Sequence, residues 1–245
     1  MPLAHSQLGP DGAPVVLFLH GGGISSWMWH DVVAHLPAFR SVLIDLPGHG
    51  DSRDIGWRSL PETADQVAEI AAGLPAPRHL CGLSLGGYTG LLAVLRHPEL
   101  FASAMFSGMH PGPMPRKWMM KAVNALTAPL VTRRFVARKT AKMLRVPPEQ
   151  TGAFAAEAIR SRPASVRRAV DDVIDFVLPE DPQTVPTRLH FAAGGREHAM
   201  VRNGLPVFKG RFPGSTSALV PGLGHGWSGE DPAAFATMLR THIAG

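Results

Sequence analysis

The sequence lacks the features that mark disulfide-linked, membrane-spanning and secreted proteins. One of its 245 residues, Cys81, is a cysteine, so the chain can form no internal disulfide and offers no thiolate cluster for a metal. No apolar run reaches the roughly 18 residues that suggest a membrane-spanning helix. The first residues, MPLAHSQLGPDG, lack the basic start and apolar stretch of a secretory signal. These absences favour a cytoplasmic globular protein, and the length suits one large α/β domain.

Positive charge is concentrated in one stretch. Residues 114–170 contain 13 Lys and Arg against Glu149 and Glu157, whereas the rest of the chain carries 11 basic and 17 acidic residues. Such a block suits nucleic acid, an anionic membrane surface or an acidic partner. Because the stretch has no nucleic-acid-binding motif, we expect no nucleic-acid partner and interpret it as a solvated helical surface. Contact with a membrane surface is the alternative.

Apolar runs alternate with helical patterns along most of the chain. Several of the runs are continuously apolar, which is typical of strands buried on both faces of a parallel sheet. The alternation predicts an α/β fold with a doubly wound, mostly parallel sheet flanked by helices, whose ligands bind at the carboxyl ends of the strands. Strands are predicted at 15–19, 41–44, 79–83, 102–107, 188–193 and 216–220, and helices at 27–36, 61–73, 85–96 and 232–243.

Residues 110–186 interrupt this alternation. They are rich in Ala, Arg, Met and Val, contain frequent prolines, and predict several successive helices. We interpret them as a helical cap inserted into a core domain formed by residues 1–109 and 187–245. Most of one apolar stripe is expected to pack the cap onto that core, with lining of a pocket as the alternative for some of its residues. The stripe comprises Trp118, Met119, Ala122, Val123 and Leu126.

The segment 82–86, GLSLG, places Ser84 between two glycines where a predicted strand meets a predicted helix. In a G-x-S-x-G turn the serine is held in a strained backbone conformation, and the glycines keep neighbouring chains from colliding with it. The helix that begins at Leu85 points its first N–H groups toward negative charge that forms nearby. Ser84 is therefore the candidate nucleophile.

A serine hydroxyl needs a base to become reactive at neutral pH. His225 lies in a glycine-rich loop between the last predicted strand and the last helix, which places it at the carboxyl edge of the sheet. Glu197 is the first carboxylate after the strand at 188–193 and is the candidate that orients the imidazole. A surface pair with the adjacent Arg196 is the alternative for Glu197.

Three consecutive glycines follow the first buried strand, and their N–H groups are unobstructed by side chains. We expect Gly22 or Gly23, together with Leu85, to stabilise the oxyanion that forms when a serine attacks a carbonyl. A phosphate-binding loop is disfavoured, because G-x-x-x-x-G-K-[ST] and G-x-G-x-x-G are both absent. We expect no metal and no organic cofactor.

An apolar pocket is expected beside the serine. Methionines gather where the strand at 102–107 leads into the cap, and their flexible side chains suit acyl or aromatic groups of varied shape. Packing within the cap is the alternative for these residues. The expected pocket residues are Trp27, Met105, Met109, Met114, Trp118 and Trp227.

In their order along the chain, these motifs resemble those of the α/β-hydrolase superfamily, in its serine-esterase-like branch. HGGG at 20–23 resembles the oxyanion loop of the family, and DLPGHGDS at 45–52 is similar to its D-x-P-G-x-G-x-S loop. The acid turn carries Glu197 where the family more often has Asp. The resemblance implies an α/β-hydrolase fold with a helical lid, and a catalytic triad of Ser84, Glu197 and His225.

The expected reaction is hydrolysis of a carboxylic ester or a related small acyl compound through an acyl-enzyme intermediate. The same triad serves C–C hydrolases, lactonases, cofactor-free perhydrolases and hydroxynitrile lyases, which the motifs do not separate. A hydrolase-like receptor that binds a small ligand with little turnover is a further alternative. The sequence determines neither the physiological substrate nor the oligomeric state.

Overall fold

A central sheet organises the fold. The computed structural model describes residues 1–144, 146–180 and 183–245. The strands in these ranges are β1 (His5–Leu8), β2 (Val15–Leu19), β3 (Arg40–Ile44), β4 (Arg78–Leu83), β5 (Ser103–Ser107), β6 (Arg188–Gly194) and β7 (Thr216–Val220). They form one sheet in the order β1-β3-β2-β4-β5-β6-β7, in which β1 is antiparallel to β3 and the other neighbouring pairs are parallel.

Helices connect the strands and flank the sheet. The α-helices of the described residues are α1 (His30–Ala34), α2 (Leu60–Ala72), α3 (Leu85–Arg96), α4 (Lys117–Thr127), α5 (Arg134–Met143), α6 (Thr151–Arg160), α7 (Pro163–Asp175), α8 (Ala199–Arg202), α9 (Leu205–Arg211), α10 (Trp227–Glu230) and α11 (Pro232–Ala244). Short 3-10 turns occur at Ser26–Trp29, Gly50–Ser52, Pro98–Leu100, Ala128–Leu130 and Pro148–Gln150. No described helix is both long and apolar enough to cross a bilayer.

Both faces are buried in the middle of the sheet, as β2 illustrates. Its residues Val15, Leu17 and Leu19 belong to one apolar core, and the alternate residues Val16 and Phe18 belong to a second. Because successive side chains of a strand point to opposite faces, a strand between two cores needs a continuous apolar run. The predicted fold class, a mostly parallel sheet flanked by helices, is confirmed.

The sequence prediction lacks the strand β1 and the short helices α8 to α10, and it describes one segment as a single helix that is divided in the structure. The strand β1 has the residues HSQL, all exposed and without apolar alternation, so it carries no sequence signal. It exists because its backbone pairs with β3 at the edge of the sheet. The helix predicted at 27–36 divides into the 3-10 turn Ser26–Trp29 and the short helix α1.

The chain between β5 and β6 forms α4 to α7, and we refer to residues 110–186 as the insert. The two ends of the insert meet, since the Leu178 N–H donates to the Pro111 carbonyl at 3.2 Å. The chain therefore leaves and re-enters the core at neighbouring points. The status of the insert as a separate cap domain stays a prediction.

The apolar stripe of α4 does not pack on the core, so that expectation is wrong. No residue of α4 is buried, and Trp118 and Leu126 are 74% and 77% exposed. The helix meets α7 through Lys121, which pairs with Asp175, and through Met120 and Val123, which line a cavity shared with α7. Polar contacts between distant residues decide which face of this helix points inward, and the helical period alone does not contain them.

Candidate active site

The loops that follow β4, β6 and β7 lie at one edge of the sheet. Parallel pairing aligns Leu83 of β4 with Ser107 of β5, and Gly194 of β6 with Val220 of β7, so the carboxyl ends of these strands are neighbours. Ser84 directly follows β4, and the loops after β6 and β7 carry Glu197 and His225. The topology thus brings a hydroxyl, a carboxylate and an imidazole to one place.

Ser84 occupies a strained turn between β4 and α3. Its φ of 53° and ψ of −117° lie in a region that residues with a side chain rarely adopt. The turn is held by the Ser84 N–H, which donates to the Ser107 carbonyl at 2.8 Å. A Cβ on Gly86 would collide with the Leu19 carbonyl, and one on Gly82 would collide with Gly86. The flanking glycines therefore permit the close backbone approach on which the turn depends.

His225 and Glu197 form a hydrogen-bonded pair. The distance from His225 Nδ1 to Glu197 Oε2 is 2.8 Å, and the second carboxylate oxygen accepts the Gly194 N–H at 2.9 Å. The glutamate side chain is buried, whereas the imidazole is partly exposed. Because Nδ1 carries the proton that the carboxylate accepts, the Nε2 lone pair is left to act as a base. No ion pair joins Glu197 to Arg196 in the described part of the chain.

Ser84 and His225 line the same cavity. No hydrogen bond joins the Ser84 hydroxyl to the imidazole among the described residues. In enzymes without substrate such bonds are often long, and they tighten in the complex. The His225 imidazole thus faces the same cavity as Ser84, and its other side is bonded to the Glu197 carboxylate.

Two residues that support the histidine loop have no clear signal in the sequence. Gly108 follows β5 with a φ of 70°, and a Cβ there would lie 2.7 Å from the His225 ring. Glu230 accepts the Gly224 N–H at 2.7 Å and so holds the loop that carries His225. The role of Gly108 depends on the His225 ring from a distant loop, and that of Glu230 depends on a turn of the backbone. Both are therefore visible only in the folded chain.

The glycine loop after β2 lies against the start of α3. Gly22 and Leu85 both line the cavity, and a Cβ on Gly22 would be 3.9 Å from the Leu85 Cβ. The N–H of Gly23 already donates to His49 Nε2 at 3.1 Å. Of the two expected glycine donors, Gly22 is therefore the one whose N–H is not bound to His49.

Two buried histidines shape this loop. His20 Nε2 accepts the Leu46 N–H at 2.9 Å, and its Nδ1 donates to the Gly21 carbonyl at 2.7 Å. His49 accepts from Gly23 and donates from Nδ1 to the Pro47 carbonyl at 3.0 Å. Burial lowers the pKa of His20 and lowers the pKa of His49 to about 3. Both rings are therefore neutral scaffolds at physiological pH, with one nitrogen accepting and the other donating.

The cavity in front of Ser84 has a volume of about 330 Å³. The described residues around it include no Lys, Arg, Asp or Glu, and most of them are aliphatic or glycine. The insert contributes much of the lining, which includes Val131, Leu144, Val146, Phe154, Ala158, Val166, Ala169, Val170 and Val173. No described group of three or more His, Cys, Asp or Glu side chains is placed to hold a metal.

The expected pocket residues from the core lie elsewhere. Met105 and Met109 are buried in the two apolar cores on either side of the sheet, because β5 and the residues just after it are enclosed by helices. Trp227 is also buried, and its indole N–H donates to the Ser107 hydroxyl at 2.7 Å. Trp27 packs against a core beside α1 and does not line the cavity.

The expected pocket residues from the insert also lie elsewhere. Trp118 is on the exposed side of α4, and Met114 lines a second cavity of about 410 Å³ between α4 and α7. Valines 170 and 173 of α7 line both cavities and so separate them. The cavity is apolar, but the part of its lining that the insert supplies comes from residues 131–173, which follow Met114 and Trp118 in the chain.

Comparison with known proteins agrees with this architecture. A model of the "Alpha/beta hydrolase family" matches residues 16–238. The chain therefore belongs to the α/β-hydrolase family.

Curated relatives match the chain over part of its length. A 2-succinyl-6-hydroxy-2,4-cyclohexadiene-1-carboxylate synthase from Enterobacter sp. (strain 638) is 34% identical over 108 residues, which is 44% of this chain and 42% of the relative. A pimeloyl-(acyl-carrier protein) methyl ester esterase from Yersinia pestis is 40% identical over 85 residues, which is 34% of this chain and 32% of the relative. The chain thus spans less than half the length of these relatives.

Solved structures match the whole fold. An esterase from Exiguobacterium antarcticum has a TM-score of 0.84 at 17% identity, covering 99% of this chain and 96% of that one. A thermophilic esterase from Thermogutta terrifontis has a TM-score of 0.82 at 23% identity, covering 99% and 93%. At these identities the likeness establishes the fold alone.

Proposed function

We propose that this chain is a serine hydrolase that cleaves a carboxylic ester or a related small acyl compound through an acyl-enzyme. The observation that carries the proposal is the His225–Glu197 pair at 2.8 Å, which faces the same apolar cavity as Ser84 in its strained turn. A nucleophile, a base and an orienting carboxylate in one cavity are the parts that acyl transfer needs.

In the first half of the reaction the Ser84 hydroxyl attacks the acyl carbon and His225 Nε2 takes its proton. Glu197 holds the imidazole by its Nδ1–H and stabilises the positive charge that the ring acquires. The N–H groups of Gly22 and Leu85 stabilise the oxyanion, and losing one such donor typically costs about 3 kcal/mol. The intermediate then collapses, and the proton on His225 passes to the departing alcohol.

In the second half a water molecule releases the acid. His225 takes a proton from the water as it attacks the acyl group on Ser84, and the same donors stabilise the second oxyanion. Donation of that proton to the Ser84 oxygen restores the enzyme. The insert acts as a cap in this scheme, because its aliphatic side chains exclude bulk water from the cavity.

The lining favours a neutral, apolar acyl group. A volume of about 330 Å³ lies at the lower end of ordinary ligand pockets, so a small substrate is expected. An ionised substrate group would lose its water without gaining a charged partner from the described lining residues, which is costly. The Yersinia relative is named for a methyl ester, which supports an ester as the substrate class.

A second candidate function uses the same residues for a different reaction. The Enterobacter relative, 34% identical over 108 residues, is named as the synthase of a cyclohexadiene carboxylate. The uncharged lining argues against an anionic compound of that kind, so ester hydrolysis is favoured. Activity with a lactone, peracid formation or cyanohydrin cleavage that exceeds ester hydrolysis would support a related triad chemistry in its place.

Labelling with a fluorophosphonate and mapping of the modified peptide tests the activated serine. The label is expected on Ser84, and Ser84→Ala is expected to lose both the label and turnover of p-nitrophenyl esters. Ser228 is the matched control, because it is another serine that lines the cavity and it lies on α10 instead of the strained turn. Ser228→Ala should still take the label. Undiminished ester turnover in a folded Ser84→Ala protein would overturn the proposal.

A further inference from the structure

The helix α4 exposes its apolar side to solvent. Trp118, Ala122 and Leu126 follow one another at helical spacing and are all exposed, and the helix contains no buried residue. Leaving large apolar side chains in water forgoes the favourable free energy that burying them would provide. The exposed apolar side of this amphipathic helix therefore suggests a surface that contacts a partner.

The inward side of α4 is held by polar contacts with α7. Lys117 and Lys121 both pair with Asp175, and the Asn124 side chain donates to the Asp171 carboxylate at 2.8 Å. These contacts determine the rotation of the helix about its axis. The exposed apolar stripe is therefore a defined feature of the fold.

The next helix, α5, repeats the combination of exposed apolar and basic side chains. Phe135 and Met143 are 78% and 74% exposed, and they lie near Lys139 on one face because residues four apart are neighbours on a helix. Arg138 and Lys142 are exposed beside them. The inward side of α5 is formed by small residues, since alanines 137 and 141 are buried.

The charge of this surface has one sign. Residues 110–148 contain nine Lys and Arg and no Asp or Glu. Several exposed bases have no ion-pair partner in the described part of the chain, among them Arg116, Arg133, Arg134, Arg138, Lys139 and Lys142. The natural partner of such a surface is anionic.

We infer that the outer surface of residues 116–143, the docking face, binds an anionic lipid bilayer. Basic residues beside protruding Trp, Phe and Leu side chains are typical of helices that lie in the bilayer interface. A second copy of the chain is disfavoured, because it would bring two positive surfaces together. An acidic soluble protein satisfies the charge, but it leaves the protruding apolar side chains without an apolar environment.

The docking face also lies on the outer side of the catalytic cavity wall. Thr140 and Leu144 line the cavity from the end of α5, and Val131 lines it from the turn before that helix. Docking would thus hold the cavity close to a lipid phase in which apolar acyl compounds concentrate. The inference goes beyond the proposed hydrolysis and does not depend on it, because binding is measured without turnover.

Sedimentation with lipid vesicles tests the docking face. The full chain is expected to sediment with vesicles of phosphatidylcholine and phosphatidylglycerol at low salt, to bind phosphatidylcholine alone much more weakly, and to dissociate as salt is raised. Paired Trp118→Ser and Leu126→Ser should weaken binding at least tenfold, and Phe135→Ser with Met143→Ser should do so independently. Paired Arg138→Gln and Lys142→Gln should weaken it about 25-fold, or fivefold per base, about 1 kcal/mol each.

Matched controls use exposed residues outside the insert. Leu8→Ser with Val207→Ser, and Arg202→Gln with Lys209→Gln, should leave vesicle binding unchanged. Each variant is checked for its melting temperature, so that loss of binding is not confused with loss of the fold. Absence of binding to anionic vesicles at low salt would overturn the inference.

Two further outcomes also overturn it. One is vesicle binding that the apolar substitutions on both helices leave unchanged, because the surface would then be a general anion-binding site. The other is a dimer in sedimentation equilibrium that Trp118→Ser and Leu126→Ser dissociate, which would make a second copy the occupant. Fluorophosphonate labelling of Ser84 reports on the proposed hydrolysis separately, so failure of one proposal is distinguishable from failure of the other.

Discussion

The strand β2 and the helix α4 are both apolar segments, but they differ in what covers them. All five residues of β2 are fully buried, because helices lie on each side of the sheet. The helix α4 has no buried residue, because its polar side is bound to α7. An apolar pattern therefore reports burial faithfully in the enclosed core. In α4 it reports only that one face differs from the other.

The same contrast divides the candidate site. The core supplies the reacting groups on loops whose geometry is held by backbone hydrogen bonds, such as those of Ser84 with Ser107 and of Gly194 with Glu197. The insert supplies an aliphatic wall without charge among the described lining residues. Changes in the core should therefore affect chemistry and stability strongly, whereas changes on the outer surface of the insert should affect neither.

The largest effect is expected for the carboxylate behind the imidazole. Glu197→Gln should lower kcat for p-nitrophenyl esters by about 10⁴-fold, because an amide neither stabilises the imidazolium nor selects the right tautomer. The matched change in the insert, Glu149→Gln, should leave kcat within about twofold. Retention of a tenth or more of the activity by a folded Glu197→Gln protein would show that the orienting acid lies elsewhere.

Alanine substitutions at two helical glycines, one in the core and one in the insert, test how tightly each region is packed. Gly86→Ala in α3 should destabilise the protein by about 3 kcal/mol, because the new Cβ meets the Leu19 backbone, which cannot move aside. Gly152→Ala in α6 meets nothing within 4 Å and should leave stability unchanged or raise it by up to about 1 kcal/mol. Urea denaturation measures the free energy of unfolding of both variants. Equal losses would mean that the close approach of Gly86 to the Leu19 backbone does not make alanine costly there.

Acid should act on the core through its buried histidines, since His110 at the start of the insert is the only histidine in residues 110–186. Burial lowers the pKa of His79 in β4 to about 4, below the usual 6.5. Below pH 6.5 the unfolded chain therefore binds a proton that the folded chain does not, and the free energy of unfolding falls as the pH drops toward 4. Each such group contributes a slope of about 1.4 kcal/mol per pH unit.

His79→Asn tests this linkage. The variant should flatten the fall in unfolding free energy between pH 6 and pH 5 by about 1.4 kcal/mol, whatever the cost of the substitution at neutral pH. The measurement is urea denaturation at several pH values beside the unsubstituted chain. Parallel slopes for the two proteins would contradict the prediction.

The smallest effect is expected on the exposed stripe of the insert. Leu126→Ala should change the free energy of unfolding by no more than about 0.5 kcal/mol, because the side chain has little packing to lose. The same change at Leu17, which is fully buried in β2, should cost about 2–5 kcal/mol. A large loss at Leu126 would show that α4 packs against the protein through its apolar side.

The regions of the molecule differ in how far local sequence patterns predict them. The predicted strand at 15–19 and the predicted helix at 85–96 have the observed bounds, because continuous apolar runs and a G-x-S-x-G turn are local signals. The edge strand β1 was missed because backbone pairing alone holds it. The expected pocket residues lie in or against the cores, on the exposed side of α4, or beside the second cavity, because position along the chain does not tell which side of a helix meets a cavity.

The sequence by itself determined the six parallel strands and their order along the chain, the turn at Ser84, and the loops that carry Glu197 and His225. These features depend on residues close together in the chain, where steric limits and apolar alternation act directly. Only the tertiary structure decided that Gly23 is bound to His49, which aliphatic side chains enclose the cavity, and that α4 faces outward. Each of those outcomes depends on contacts between residues far apart in the chain, such as Lys121 with Asp175, that no local pattern encodes.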